Sequence, residues 1–206
     1  MLHIVLFITF AFANESLVFT ALTDDNGDAV GFIAIEFGKC YYYKNNASGY
    51  FTHDGDKIKV KLYENSSSCS GVGIEQTTNV NDDNLKNYCE DANSCSVEIK
   101  QPPKYIGSHS IVDDDENCTH SDNTIRAYYT DKCYRCNKNN GQYCNYIHES
   151  GYVWESVYPN NKCELDERIS RTPQWKCDVC NDGFIFQCGE MSTFVIPVLI
   201  LLSFFL

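Results

Sequence analysis

The chain has 206 residues, with 28 acidic against 16 basic side chains and a net charge of −12. That acidity excludes the basic footprint of a nucleic-acid-binding protein, and the length allows one large or two small domains. Twelve cysteines fit an oxidising compartment and a disulfide framework.

Met1 to Ala13 reads MLHIVLFITFAFA. A short apolar core closed by Ala11-Phe12-Ala13 has the pattern of a secretory signal, cleaved between Ala13 and Asn14. It is shorter than the roughly 20 residues of a spanning helix. The body predicts β-hairpins. Leu17 to Thr23 and Ala29 to Phe37 are strand-prone runs around Asp25-Asn26-Gly27-Asp28, and Asn-Gly suits a tight turn with positive φ. Asp24, Asn26 and Asp28 match the start of an EF-hand loop. Ala29 and Ile35 stand where its Gly and Glu belong, so a turn is the better account.

Tyr50 to His53 and Lys57 to Tyr63 flank Asp54-Gly55, a second hairpin. In the later strand Ile58, Val60 and Leu62 alternate with Lys57, Lys59 and Lys61, so one face is core. The lysine face reads as solvated, or as an edge guarded by Lys. Ser96 to Lys100 is a strand ended by Pro102-Pro103, and Asp113 to Glu116 is an acidic loop. Thr124 to Thr130 and Tyr152 to Tyr158 are further strands, the latter with Tyr152, Trp154 and Tyr158 on one face. No long segment has helical period. The expected fold is all-β and loop-rich.

An internal repeat organises the body. Gly38-Lys39-Cys40-Tyr41 is echoed by Asp131-Lys132-Cys133-Tyr134, and Lys44-Asn45-Asn46 by Lys138-Asn139-Asn140. His53-Asp54-Gly55 corresponds to His148-Glu149-Ser150-Gly151, and Tyr63 then Cys69 to Tyr158 then Cys163. Four landmarks in order predict two related, disulfide-stapled β modules from a duplication. The expected organisation is a signal peptide over 1–13, a first module over 14–105, a second over 106–190 and an apolar anchor segment over 191–206.

Twelve cysteines allow roughly ten thousand pairings, but the repeat narrows them. Cys40 to Cys69 spans 29 positions and Cys133 to Cys163 spans 30, which suggests equivalent bridges. Cys136 and Cys144 occur in the second module alone; the first has Tyr43 and no Cys near Phe51, so Cys136 and Cys144 most simply pair together. Cys177, Cys180 and Cys188 repeat the same C-x2-C-x7-C string, which suggests Cys180–Cys188. Cys89–Cys95 closes a short loop. Each bridge of this kind contributes about 2–4 kcal/mol by constraining the unfolded chain.

Phe194 to Leu206 reads FVIPVLILLSFFL, with no Lys or Arg after it. An apolar tail behind small residues fits a glycosylphosphatidylinositol signal, with attachment at Gly189 or, alternatively, Asn181. A short spanning helix from about Met191 is the other reading. Asn46, Asn65 and Asn117 are glycosylation sequons. Together these place the chain in the secretory pathway, on the outer face of the plasma membrane, with the membrane itself as a partner through the C-terminus.

Catalytic signatures are missing. There is no G-x-S-x-G and no H-E-x-x-H; His148-Glu149-Ser150 begins the latter and fails. The Cys-x2-Cys pairs at Cys133 and Cys177 have zinc spacing, but export favours disulfides, so no metal or cofactor is expected. Fourteen Tyr and two Trp suit contact with a protein or glycan ligand, or fill the core. The expectation is binding, adhesion or surface coat. A hydrolase with a non-local carboxylate pair is the alternative, and a disulfide-rich inhibitor a further one. In its short signal, its Asn/Tyr/Lys/Asp-rich body and its apolar end, the chain resembles lineage-specific cysteine-rich surface proteins of amoeboid protists. That resemblance implies a surface location and no particular functional residue.

Overall fold

The computed structural model describes residues 15–24, 29–43, 45–89, 95–111, 117–119, 121–137 and 140–189. The signal over 1–13, its cleavage point Ala13/Asn14, the turn at 25–28, the acidic run and the segment 191–206 lie outside the described residues. In chain order the strands are β1 (Ser16–Thr23), β2 (Ala29–Glu36), β3 (Cys40–Tyr43), β4 (Ala47–Asp54), β5 (Lys57–Tyr63), β6 (Ile74–Asn79), β7 (Val97–Lys100) and β8 (Gly107–Ser110). They continue with β9 (Arg126–Tyr129), β10 (Tyr134–Asn137), β11 (Gln142–Glu149), β12 (Tyr152–Tyr158), β13 (Ser170–Lys176), β14 (Cys180–Asn181) and β15 (Phe184–Cys188). Three short 3-10 turns interrupt them, at Asp83–Tyr88, Ser121–Asn123 and Leu165–Glu167. The protein is all-β and loop-rich. Among the described residues no helix is long and apolar enough to cross a membrane.

The strands make three sheets. A seven-stranded sheet runs β14-β15-β8-β9-β2-β1-β7, drawing strands from both halves of the chain. Two four-stranded meanders run β3-β4-β5-β6 and β10-β11-β12-β13. The small sheets answer each other in register. His53 lies opposite Ile58 and His148 opposite Val153, and both Ile58 and Val153 are fully buried. Tyr41 lies opposite Gly49 and Tyr134 opposite Cys144.

Alternation places β5 as expected, with Ile58, Val60 and Leu62 inward. Its lysines do not guard an edge, because β5 sits between β4 and β6; they form the outer row of an interior strand.

Both small sheets pack on one face of the large one. Leu17, Phe19, Ile35 and Ile125 meet Phe51 and Ile58 of the first. Further along, Ile106, Tyr129 and Phe186 meet Tyr146, Val153 and Trp175 of the second. The register puts these on a common side: Ile33 pairs with Ala127, Gly31 with Tyr129, and Tyr129 with Gly107. Gly107 is obligatory there, since a Cβ would stand 2.3 Å from the Phe186 ring. On the opposite face Tyr128 stacks on Phe32 at 5.1 Å, and Arg126 Nε donates to Ser108 Oγ at 2.8 Å.

All twelve cysteines are bonded. Cys40–Cys69 and Cys133–Cys163 tie the start of each small sheet, at or just before its first strand, to the loop after its third, each with Cα atoms 5.8 Å apart. Cys89–Cys95 and Cys136–Cys144 are also formed. Cys180–Cys188 is not: Cys180 joins Cys118 and Cys188 joins Cys177. The reason is the β14–β15 hairpin, in which Cys180 faces Ile185. Cys188 is three residues further along, about 10 Å at strand rise, beyond the roughly 7 Å Cα separation a disulfide spans.

The first sheet has its own answer to Cys136–Cys144. Tyr43 lies over Gly49, where a Cβ would meet the ring at 2.8 Å. Gly49→Ala is therefore expected to cost about 1–2 kcal/mol by overpacking, measured by thermal or denaturant unfolding. The cost shrinks in a Tyr43→Ala background; an equal cost in both would show that the ring is not the obstacle.

Candidate functional site

The space between each small sheet and the large one differs. Beneath the second sheet it is filled with rings. Trp175 stacks on Phe186 at 4.5 Å and lies 4.9 Å from Tyr129 and 5.4 Å from Tyr146. Tyr146 in turn contacts Tyr134. Beneath the first sheet there is an apolar cavity of about 400 Å³. Its floor is Leu17, Phe19 and Ile35 from the large sheet and Phe51 and Ile58 from the small one. Gln76, Thr77, Asn84 and Ile111 are exposed and form the mouth.

Register explains the difference. Thr78 lies opposite Ile58, and Trp175 opposite Val153. The indole of Trp175 thus occupies a position that the first sheet gives to a threonine. Phe51 and Tyr146 match in the same way, each two residues before the turn histidine. Thr78 Oγ1 points to the adjacent turn, donating to Asp82 Oδ2 at 2.8 Å.

Among the described residues the lining contains no Asp, Glu, His, Lys, Arg or Cys. Such a surface can exclude water and hold an apolar molecule; it offers no general acid or base pair.

The residues singled out from the sequence fall elsewhere. His53 packs on Phe37 with ring centroids 4.4 Å apart, and its Nε2 is 3.4 Å from Glu15 Oε2. His148 and Glu149 are consecutive on β11 and so face opposite ways; Glu149 is ion-paired with Arg171. His148 lies near the sulfurs of Cys177 and Cys188, but these are bonded to each other and are no thiolate ligands. Asp24 Oδ2 accepts from the Arg135 amide at 3.2 Å, a structural tie between β1 and β10. Asn46, Asn65 and Asn117 are exposed. Asn181 begins the β14–β15 turn, and the Gly189 amide donates to the Ile106 carbonyl at 3.1 Å. The outer aromatics Tyr152 and Trp154 are 6.0 Å apart, with the Arg171 guanidinium over the Trp154 ring at 4.3 Å. That ring face is already covered, which makes it a weaker platform than a bare one.

Sequence reasoning missed the cavity. Its walls come from residues 17 to 125, and no local pattern marks them as one surface. The signal that could have found it is the repeat itself, had Thr78 been set against Trp175.

His109 is a half-buried titratable group beside the filled interior, with its ring 6.4 Å from that of Phe186. Its Nδ1–H donates to the Ser110 carbonyl at 2.8 Å, which leaves Nε2 to accept from the Tyr129 hydroxyl at 3.0 Å. Burial lowers its pKa from 6.5, the Ser110 bond opposes this and Arg126 adds to the lowering.

The chain matches no family model, no curated protein and no solved structure. What the fold and its bridges define is a class: a disulfide-rich, all-β protein of extracellular type, with one interior filled and another open.

Because the folded state disfavours protonated His109, its stabilising effect is present above the ordinary pKa of 6.5 and is lost as pH falls below it. Unfolding midpoints measured across this range are expected to fall with acidification, and the slope is expected to flatten in His109→Gln.

Proposed function

We propose that this is an extracellular binding protein, held at the cell surface by its C-terminal segment, whose cavity beneath the first small sheet receives an apolar small molecule. One observation carries the reading: the same strand pairing encloses a ring-filled interior in one half and an open apolar one in the other. A closed void of 400 Å³ would cost roughly 10 kcal/mol at ~24 cal/mol per Å³, on the order of a whole domain's stability. The open mouth lowers that cost, but a ligand removes it. The volume also lies within the range of about 300–1,000 Å³ typical of ligand pockets.

The lining supports binding over catalysis, since its described residues include no carboxylate pair for a glycan hydrolase. The matching registers and matching bridges support reading the two small sheets as copies of one module. For the tether, cutting at Asn181 would remove β15, with buried Phe186 and the Cys188 bridge. Lipid attachment at Gly189 keeps both.

Two experiments test this. Thr78→Trp is expected to fill the cavity as Trp175 fills its counterpart. The variant should unfold at or above the parent temperature and bind a neutral solvatochromic dye at least about tenfold more weakly, since that indole takes the ligand's place. A folded variant that binds the dye as well as the parent would falsify the cavity reading. Separately, phosphatidylinositol-specific lipase should release the protein from cells with Cys177–Cys188 intact in its C-terminal peptide. Retention on the membrane, with residues 191–206 still present, would mark a spanning segment instead.

A further inference from the structure

The cavity mouth has a chemistry of its own. The described lining residues are uncharged at neutral pH, and the polar ones gather at the mouth or beside it. Gln76 and Thr77 lie on the exposed edge strand β6, and Asn84 lies on the turn Asp83–Tyr88. The Gln76 amide has no hydrogen-bond partner among the described residues, so it offers both a donor and an acceptor.

The charges around the mouth are of both signs, with Lys59 opposite Thr77 on the outer face of the small sheet. Asp82 caps the turn: its Oδ1 accepts from the Asn84 amide at 3.0 Å and from Asn84 Nδ2 at 2.9 Å. With the Thr78 bond, these hold the Asp82 carboxyl below the usual carboxylate range, and it is anionic at neutral pH. Asp83 is paired with Lys86 at 2.8 Å, which cancels that cation. Glu75 precedes Gln76 on β6 and lies opposite Lys61. Among the described residues no cation lines the cavity to receive a carboxylate.

We infer that the cavity selects single-chain amphiphiles whose head is uncharged and hydrogen-bonding, such as an alcohol or a glyceryl ester, and rejects fatty-acid anions. The inference rests on the reading of the cavity as a ligand site. The acyl chain lies along Ile33, Val60, Leu62 and Leu85, the half-buried part of the lining, above the buried floor. The head stops at Gln76 and Asn84, where hydroxyls find partners and water. A carboxylate at the same place stands beside Asp82 with no counter-charge, and an unpaired charge at an apolar boundary is disfavoured.

The test displaces a neutral solvatochromic dye from the full chain at neutral pH. The competitors are a fatty alcohol, its monoacylglycerol analogue and the fatty-acid anion, all of equal chain length. The alcohol and the glyceride are expected to compete at about tenfold lower concentration than the anion, and affinity in the alcohol series should rise about fourfold per methylene until the cavity is full. Gln76→Lys puts a cation at the mouth, at an exposed position of the edge strand opposite Val60, and should bring the anion level with the alcohol. Equal competition by alcohol and anion in the parent, or no gain by the anion in Gln76→Lys, overturns the selectivity. Failure of every amphiphile to displace the dye overturns the cavity reading, and the selectivity with it.

Discussion

The rest of the structure depends on one apolar face of the seven-stranded sheet. A sheet buries a face only when its strands keep the same inward parity, and here β1, β2 and β9 keep it across residues far apart in sequence. Ile33 beside Ala127 is the seam. A slip of one residue there would put Leu17, Phe19, Ile33 and Ile35 on one face and Tyr129 on the other, so the two small sheets could no longer pack on a common side. Further ties cross the same seam: Thr130 Oγ1 donates to the Val30 carbonyl at 2.7 Å, and Asp24 accepts from Arg135. The two halves of the chain therefore cannot complete their cores independently.

The disulfides act mainly where that face does not reach. Four of them close loops within or beside the small sheets, spanning 6 to 30 residues. Cys118–Cys180 spans 62 and fixes β14 against a segment before β9. In the chain-entropy account a loop of that length contributes about 4 kcal/mol, against about 2 for the shortest. Cys177–Cys188 then fastens the far end of β15 beneath the second sheet. The peripheral strands β13 and β14 carry almost no buried apolar side chains, so cross-links do there what burial does at the centre.

Much of this was legible from the residues, for physical reasons that also mark the limits. β5 declared itself because Ile58, Val60 and Leu62 alternate strictly with lysines. β12 did so through aromatics at period two. β13, with Ser170, Arg171 and Pro173, has neither alternation nor apolar bulk, so only pairing with β12 makes it a strand. The bridges followed the same division. Where the repeat supplied a matched pair, as at Cys40–Cys69 and Cys133–Cys163, spacing was informative. The string Cys177-x2-Cys180-x7-Cys188 imitates Cys133-x2-Cys136-x7-Cys144, yet its first and third cysteines join. The difference lies in the turn: Asp182 and Gly183 both take positive φ, 50° and 81°, and close a tight hairpin inside the string. Spacing carries no information about where a turn falls between cysteines. The partner Cys118 was out of reach of local reasoning altogether.

The cavity is the clearest case of information that exists only between distant positions. Neither Thr78 nor Trp175 is unusual on its own strand. Set against each other by register, they show that the frame accommodates a large ring at this point, because the second half contains one. The open interior is then not a consequence of how these sheets must pack. Branched aliphatics such as Ile33, Ile35, Ile58 and Val60 line it, and they are too short to reach across as Trp175, Tyr129 and Phe186 do. A protein that leans on six disulfides has little apolar core to spare. Ile33, Val60, Leu62 and Leu85 stay half-buried and Ile111 exposed in one half, where rings close the same space in the other, and apolar surface left in water costs stability. A bound apolar molecule would offset that cost directly, by supplying the contacts that the missing ring would have made.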